Sequence, residues 1–152
     1  MNLGKTNLFF SYLYIISALI IAILSYLHRN ELKFNTKLYR YEVTGVVDGS
    51  GGEDVDFSVK EEFNITTQTL QILITVMFCV AGLFHLFYFT NGFYTRSYLA
   101  EIRAGHNRFR WLEYSITSAI MVFILGVLAG FKDLYTIIFA CVLAASTCAI
   151  GF

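Results

Sequence analysis

Proline is absent from the 152 residues, charged side chains make up only 14%, and no segment repeats. A globular chain is roughly a quarter charged, so this composition argues against most soluble folds. Without proline or a repeat, collagen-like and low-complexity classes fall away. A hydrophobic share of 57% excludes a disordered segment. Eleven basic residues balance eleven acidic ones, so no global charge points to nucleic acid and no nucleic-acid partner is expected. Cysteine is scarce too. Cys79, Cys141 and Cys148 all fall inside apolar runs, which leaves no disulfide framework. No histidine pair accompanies Cys141 and Cys148, so no metal site is expected. Gly49-Ser-Gly-Gly52 lacks the lysine and the following helix of a phosphate loop. No Ser-His-Asp arrangement has credible placement either, so an enzyme is not expected.

Four long apolar runs are present: Leu8 to Leu27, Leu70 to Phe89, Trp111 to Phe131 and Leu134 to Phe152. Each approaches the ~20 residues that a helix needs to cross the hydrocarbon layer. A membrane β-barrel would alternate polar and apolar residues in segments of about ten. These runs are apolar on every face, and a helix satisfies its own backbone in lipid. The expectation is one all-α transmembrane domain over 1–152, with helices at about 8–27, 70–90, 111–131 and 134–152. Leu8 to Leu27 exceeds the apolar core of a signal peptide, and the bulky Tyr26-Leu27-His28-Arg29 offers no cleavage site, so it reads as a retained helix.

Arg96, Arg103, Arg108 and Arg110, against Glu101 alone, mark the segment between the second and third runs as cytoplasmic. Residues 28–69 are then extracytoplasmic and both termini cytoplasmic. Within 28–69, Lys37 to Thr44 and Val55 to Lys60 alternate polar and apolar residues around the turn-rich Asp48 to Glu53. That pattern predicts a β-hairpin. A lone hairpin is marginal in water, so it is expected to pack on the helix ends or on a partner subunit.

Two polar residues stand out within the runs. A central, unpaired carboxylate in a membrane helix costs about 2.5–3.5 kcal/mol. Glu113 lies about one turn inside the third run, where it reads either as a helix-end acid paired with Arg110 or as an interior counterion or proton carrier. Glu113, Thr117 and Met121 recur at four-residue spacing with Ser118 beside them, a stripe expected to face other helices or a polar cavity. His85 lies deep in the second run, where it reads equally as a structural hydrogen-bonding group or as a proton-handling one.

The stretch Asn91-Gly-Phe-Tyr94 followed by Asn107-Arg-Phe-Arg-Trp-Leu-Glu-Tyr-Ser-Ile-Thr-Ser-Ala-Ile-Met121 closely resembles the heliorhodopsin family. His85, six residues before Asn91-Gly92, and Gly130-x-x-Asp133-Leu134 reinforce the likeness. The resemblance implies a seven-helix, usually homodimeric retinal protein, inverted relative to other microbial rhodopsins, that acts as a light sensor or signalling photoreceptor. By that likeness Glu113 would be the counterion of the protonated retinal Schiff base, with Thr117 its hydroxyl neighbour and Ser118 also in the all-trans retinal site. Met121 would touch the polyene, and His85 would belong to the internal polar network. Ser17 stands where members often carry a histidine, and Ala144 to Cys148 where they often carry asparagines. The family's attachment lysine lies in a seventh helix, whereas Lys5, Lys33, Lys37, Lys60 and Lys132 all fall in loops or at span ends. The chain therefore corresponds to the first half of that fold, expected as a fragment, a truncated product or one piece of a split protein that needs the remaining helices as partner. Two other readings compete: a light- or voltage-dependent proton conductor built on Glu113 and His85, and a non-photoactive four-helix membrane assembly protein.

Overall fold

A computed structural model of the chain describes residues 3–28, 33–47, 53–90 and 92–150. It contains five helices and one antiparallel two-stranded sheet, in the order α1 (Leu3–Leu27), β1 (Asn35–Val47), β2 (Glu53–Thr66), α2 (Thr67–Thr90), α3 (Gly92–Arg103), α4 (Arg108–Leu128) and α5 (Leu134–Ala149). Among the described residues, α1, α2 and α4 are long and apolar enough to cross a membrane, while α5 is apolar but shorter at 16 residues. Only 11%, 22% and 17% of the most apolar stretches of α1, α2 and α4 are buried. Much of the remainder is exposed apolar surface, such as Leu19, Ile23, Leu83 and Leu125, on a scale that soluble monomers do not leave to water. With backbone bonds closed inside each helix, such surfaces suit lipid or neighbouring helices.

Antiparallel α1 and α2 approach closely at Gly82. A Cβ there would lie 3.0 Å from Ile15 Cγ1 and 3.4 Å from Tyr14 Cβ, so the missing side chain sets the helix separation. Ser11, buried at the same crossing, donates its hydroxyl to the Gly82 carbonyl at 3.0 Å. α4 packs beside α2, and α5 returns along α4, with Gly126 lying against Ile137.

The expected hairpin forms, with strands longer than the alternating runs. Its register runs from Asn35↔Thr66 to Val47↔Glu53, and Lys60 is the extra residue of a bulge, since Arg40 pairs with Glu61 and Tyr41 with Val59. The turn expected over Asp48 to Glu53 falls largely on 48–52, outside the described residues. Three exposed cross-strand ion pairs, Lys37–Glu62, Arg40–Glu61 and Lys60–Glu42, line the hairpin; exposed pairs contribute little stability. Its anchor is apolar. Leu38 and Ile65 join Leu70, Ile124, Val127 and Ile137 in one buried cluster. Tyr39 also donates its amide to the Lys132 carbonyl at 2.7 Å, tying β1 to the α4–α5 corner. The hairpin base closes where Phe34 N donates to Thr67 Oγ1 at 2.7 Å and Thr67 N to Phe34 O at 2.9 Å.

That corner is built from local signals. Gly130 adopts φ +87°, its amide reaches the Val127 carbonyl, and the Phe131 amide reaches the Gly126 carbonyl. This is the paired-bond ending of a helix that glycine favours. Asp133 then caps α5, accepting from the Thr136 hydroxyl and, at 2.7 Å, from the Thr136 amide. These bonds, led by the hydroxyl, hold its carboxyl below the usual carboxylate range.

Three expectations are corrected. The described residues form five helices rather than four, because a short helix lies between the second and third apolar runs: α3 occupies Gly92–Arg103 and stacks Tyr98 on Tyr88 with ring centroids 4.6 Å apart. It ends as α4 does, with Gly105 at φ +79° and paired bonds from Gly105 to Ile102 and from His106 to Glu101. The third run begins earlier and ends earlier than expected, since Asn107 caps α4 and 129–131 belong to its terminal turn. The fourth run stops being helical at Ala149, and 151–152 lie outside the described residues.

Candidate functional site

Glu113 and His85 are the most deeply buried ionisable groups named by the sequence, at 3% and 2% exposure. They come from different helices and meet through Arg110. Its Nη1 lies 2.9 Å from His85 Nε2 and 3.6 Å from Glu113 Oε2. Its Nε donates to the Tyr114 hydroxyl at 3.1 Å, and its guanidinium carbon sits 5.3 Å from the Tyr114 ring centre. The local chain explains this placement. Asn107 starts α4 by accepting from the Arg110 amide, which sets Arg110 in the first turn and Glu113 three residues on, on an adjoining face.

Arginine can only donate. His85 Nε2 is therefore the acceptor of the Arg110 bond, the imidazole is neutral, and its proton resides on Nδ1. That nitrogen and Glu113 Oε2 are buried without a hydrogen-bond partner among the described residues. The Arg110–Glu113 separation is an ion-pair distance too long for a hydrogen bond. Glu113 is paired with Arg110, as the helix-end reading expects, but it is buried rather than near water. Aromatic rings enclose His85, with Tyr14 stacked on it at 5.4 Å, Phe10 at 5.8 Å and Tyr88 edge-on at 5.9 Å. Tyr88 in turn donates its hydroxyl to the Phe109 carbonyl at 2.9 Å.

A cavity of about 360 Å³ opens beside Glu113, lined by Glu113, Thr117, Ser118 and Met121 from α4, Tyr14 from α1 and Phe78 from α2. The expected stripe on α4 is therefore brought together on one wall. Thr117 gives its proton to the Glu113 backbone carbonyl at 3.0 Å rather than to the carboxylate. Ser118 donates to the Ser115 carbonyl at 3.3 Å and touches Cys148 Sγ at 3.6 Å. Met121 is 48% exposed, at the open side of the cavity. His85 does not line the cavity; Tyr14, which lines it and stacks on His85, and Arg110 connect the two. Sequence reading missed Tyr14 and the buried Asn7 and Ser11, because α1 carries its polar groups singly. It placed Arg110 beside Glu113 but had no means of seeing the third partner on α2.

Apolar antiparallel helices around a buried carboxylate and imidazole, bridged by a half-buried arginine, define an integral membrane protein with a polar centre. The heliorhodopsin family model matches residues 3–152, and the chain belongs to that family. No curated protein matches it.

Proposed function

We propose that this chain supplies one wall of a retinal-binding, light-sensing membrane protein, with Glu113 as counterion to a protonated Schiff base. The observation that carries the reading is the buried Glu113 oxygen without a hydrogen-bond partner among the described residues, at an aromatic-lined cavity. An unpaired carboxylate at membrane depth is costly, and Arg110 at 3.6 Å offsets that cost only in part. A second positive charge in the cavity completes the compensation. Its volume lies within the range of small-molecule sites. The walls suit a conjugated chain: rings from Tyr14 and Phe78, the Met121 thioether, and small hydroxyls at Thr117 and Ser118. None of the cavity-lining residues is a lysine, so the attachment lysine comes, in this proposal, from further helices that complete the bundle. When bound, retinal supplies light absorption and one delocalisable positive charge. The protein's residues orient it, exclude water with Tyr14 and Phe78, and hold a proton at His85 Nδ1. No enzymatic step is proposed, and a homodimer rests on family likeness alone.

The proton-conductor reading rests on the same array, and one observation weighs against it. The fixed positive charge of Arg110 stands between His85 and Glu113, and a fixed arginine opposes proton passage. A purely structural assembly protein gives the buried Glu113 carboxylate no role beyond its ion pair with Arg110.

Membranes containing this chain together with lysine-bearing helices should develop a visible band on addition of all-trans retinal. Met121→Trp, which narrows the cavity from its open side, should remove most of that band while leaving helicity intact. Full colour in Met121→Trp, or none in the wild type, would sink the reading. For orientation, the proposal sets α3 and its arginines in the cytoplasm and the hairpin outside. An impermeant thiol reagent on intact cells should label Ser58→Cys and spare Ala104→Cys; the opposite pattern inverts the topology.

A further inference from the structure

A second apolar hollow of about 360 Å³ lies on the other side of the α2–α4 seam. Val80, Leu83, Phe84 and Phe87 from α2 and Leu112 and Ile116 from α4 line it, and it shares no residue with the Glu113 cavity. Phe109 and Leu112 also belong to a neighbouring hollow of about 610 Å³, whose other walls are Ser97, Ala100, Glu101 and Arg108. The two form one track, apolar over its length and polar at the α3 end. Arg108 lines that end, and Arg96 and Arg103 are exposed elsewhere on α3, so basic side chains outnumber acidic ones over 92–108. Glu101 is the acid that lines this end among the described residues, and it is already engaged. It accepts from Arg108 Nε at 2.9 Å and from the Arg108 amide at 3.0 Å. Arg108 is thereby oriented, while its two terminal nitrogens make no hydrogen bond among the described residues.

We propose that this track binds an anionic phospholipid of the surrounding bilayer, with an acyl chain between α2 and α4 and the phosphate against Arg108. The track belongs to the lateral surface of a membrane bundle, where only a lipid tail or another apolar chain covers Leu83, Phe87 and Ile116 without cost. Arginine at the end of an apolar groove, beside an amphipathic basic helix, favours a headgroup carrying phosphate and net negative charge. Ser97 offers the headgroup a further donor. A zwitterionic lipid fills the same groove, but its cationic headgroup meets the same arginines and gains less. The inference does not depend on retinal.

The test is titration of the purified full chain in detergent with phosphatidylglycerol or phosphatidylcholine, read by native mass spectrometry. Phosphatidylglycerol should saturate one site and bind about fivefold or more tightly than phosphatidylcholine, as one basic contact near the surface warrants. Arg108→Gln should abolish the preference, and Arg108→Lys should keep most of it. Glu101→Gln removes the competing acceptor and should leave phosphatidylglycerol binding equal or tighter. Ile116→Trp, which fills the apolar part, should weaken both lipids. Equal binding of the two lipids to the wild type, or titrations unchanged by both Arg108→Gln and Ile116→Trp, would overturn the proposal. Displacement of the lipid by inorganic phosphate would also overturn it, because the phosphate group alone would then be what is recognised. Circular dichroism of each variant separates loss of binding from loss of fold.

Discussion

Glu113→Gln is expected to shift the absorption of the retinal-loaded protein to the red and to lower the Schiff-base pKa by about one to three units. A carboxylate stabilises a neighbouring positive charge most when that charge is localised beside it. Excitation spreads the charge along the polyene, so the carboxylate stabilises the ground state more than the excited state. The neutral amide at the same position reduces that difference and with it the excitation energy. The same loss of negative charge disfavours the protonated base, at about 1.4 kcal/mol per pKa unit. The sign follows directly: wild type keeps the base protonated to higher pH, and the variant releases the proton at lower pH. Near neutrality the variant is expected to show a near-ultraviolet band that converts to the red-shifted visible band on acidification. Arg110 sharpens the expectation, since its charge, 3.6 Å from Glu113, is uncompensated in the variant and repels the base further. An absorption titration of both proteins decides it, and an unchanged spectrum with unchanged pKa returns Glu113 to a structural partner of Arg110.

Leu38→Ala is expected to release the hairpin from the bundle. Leu38 is 1% exposed and lies in the cluster that joins β1 and β2 to α2, α4 and α5. Truncating a buried leucine costs about 2–5 kcal/mol. The exposed ion pairs along the hairpin cannot replace it, and a two-stranded sheet alone is marginal. The reporter is the Tyr39 amide, bonded to the Lys132 carbonyl at 2.7 Å. Its hydrogen exchange should accelerate roughly thirtyfold or more, with little change at Gly82 in the α1–α2 crossing. Slow exchange at Tyr39 in the variant would mean that something other than the apolar cluster holds the hairpin.

The apolar runs made the membrane helices legible, because periodicity is unnecessary where every face is apolar. The hairpin was legible from its alternation, and its docking surface was not. Leu38 looks like any strand residue until Ile124, Val127 and Ile137 are folded beside it. α3 was missed because the arginines of 91–110 read as a topological signal and masked a short amphipathic helix. The four-residue step from Tyr98 to Ile102 and the following Gly105 were the available clues. At the site, the α4 stripe of Glu113, Thr117 and Met121 was visible as helical spacing, and the cavity lies on that face. The contact of Arg110 with His85 is 25 residues apart in sequence and needed the packing of α2 on α4. Tyr14 is farther still, since nothing in α1 distinguishes it from Tyr12 or Tyr26.

The central claim is that Glu113 directly faces the positive charge of bound retinal. Its most direct test is a solid-state nuclear magnetic resonance measurement of the dipolar coupling between the labelled Schiff-base nitrogen and the side-chain carboxyl carbon of Glu113. An ionised carboxyl carbon coupled to that nitrogen at a separation within about 6 Å is expected, the range over which an opposite charge holds a group protonated. A protonated Glu113, or one with no measurable coupling to the Schiff base, would contradict it.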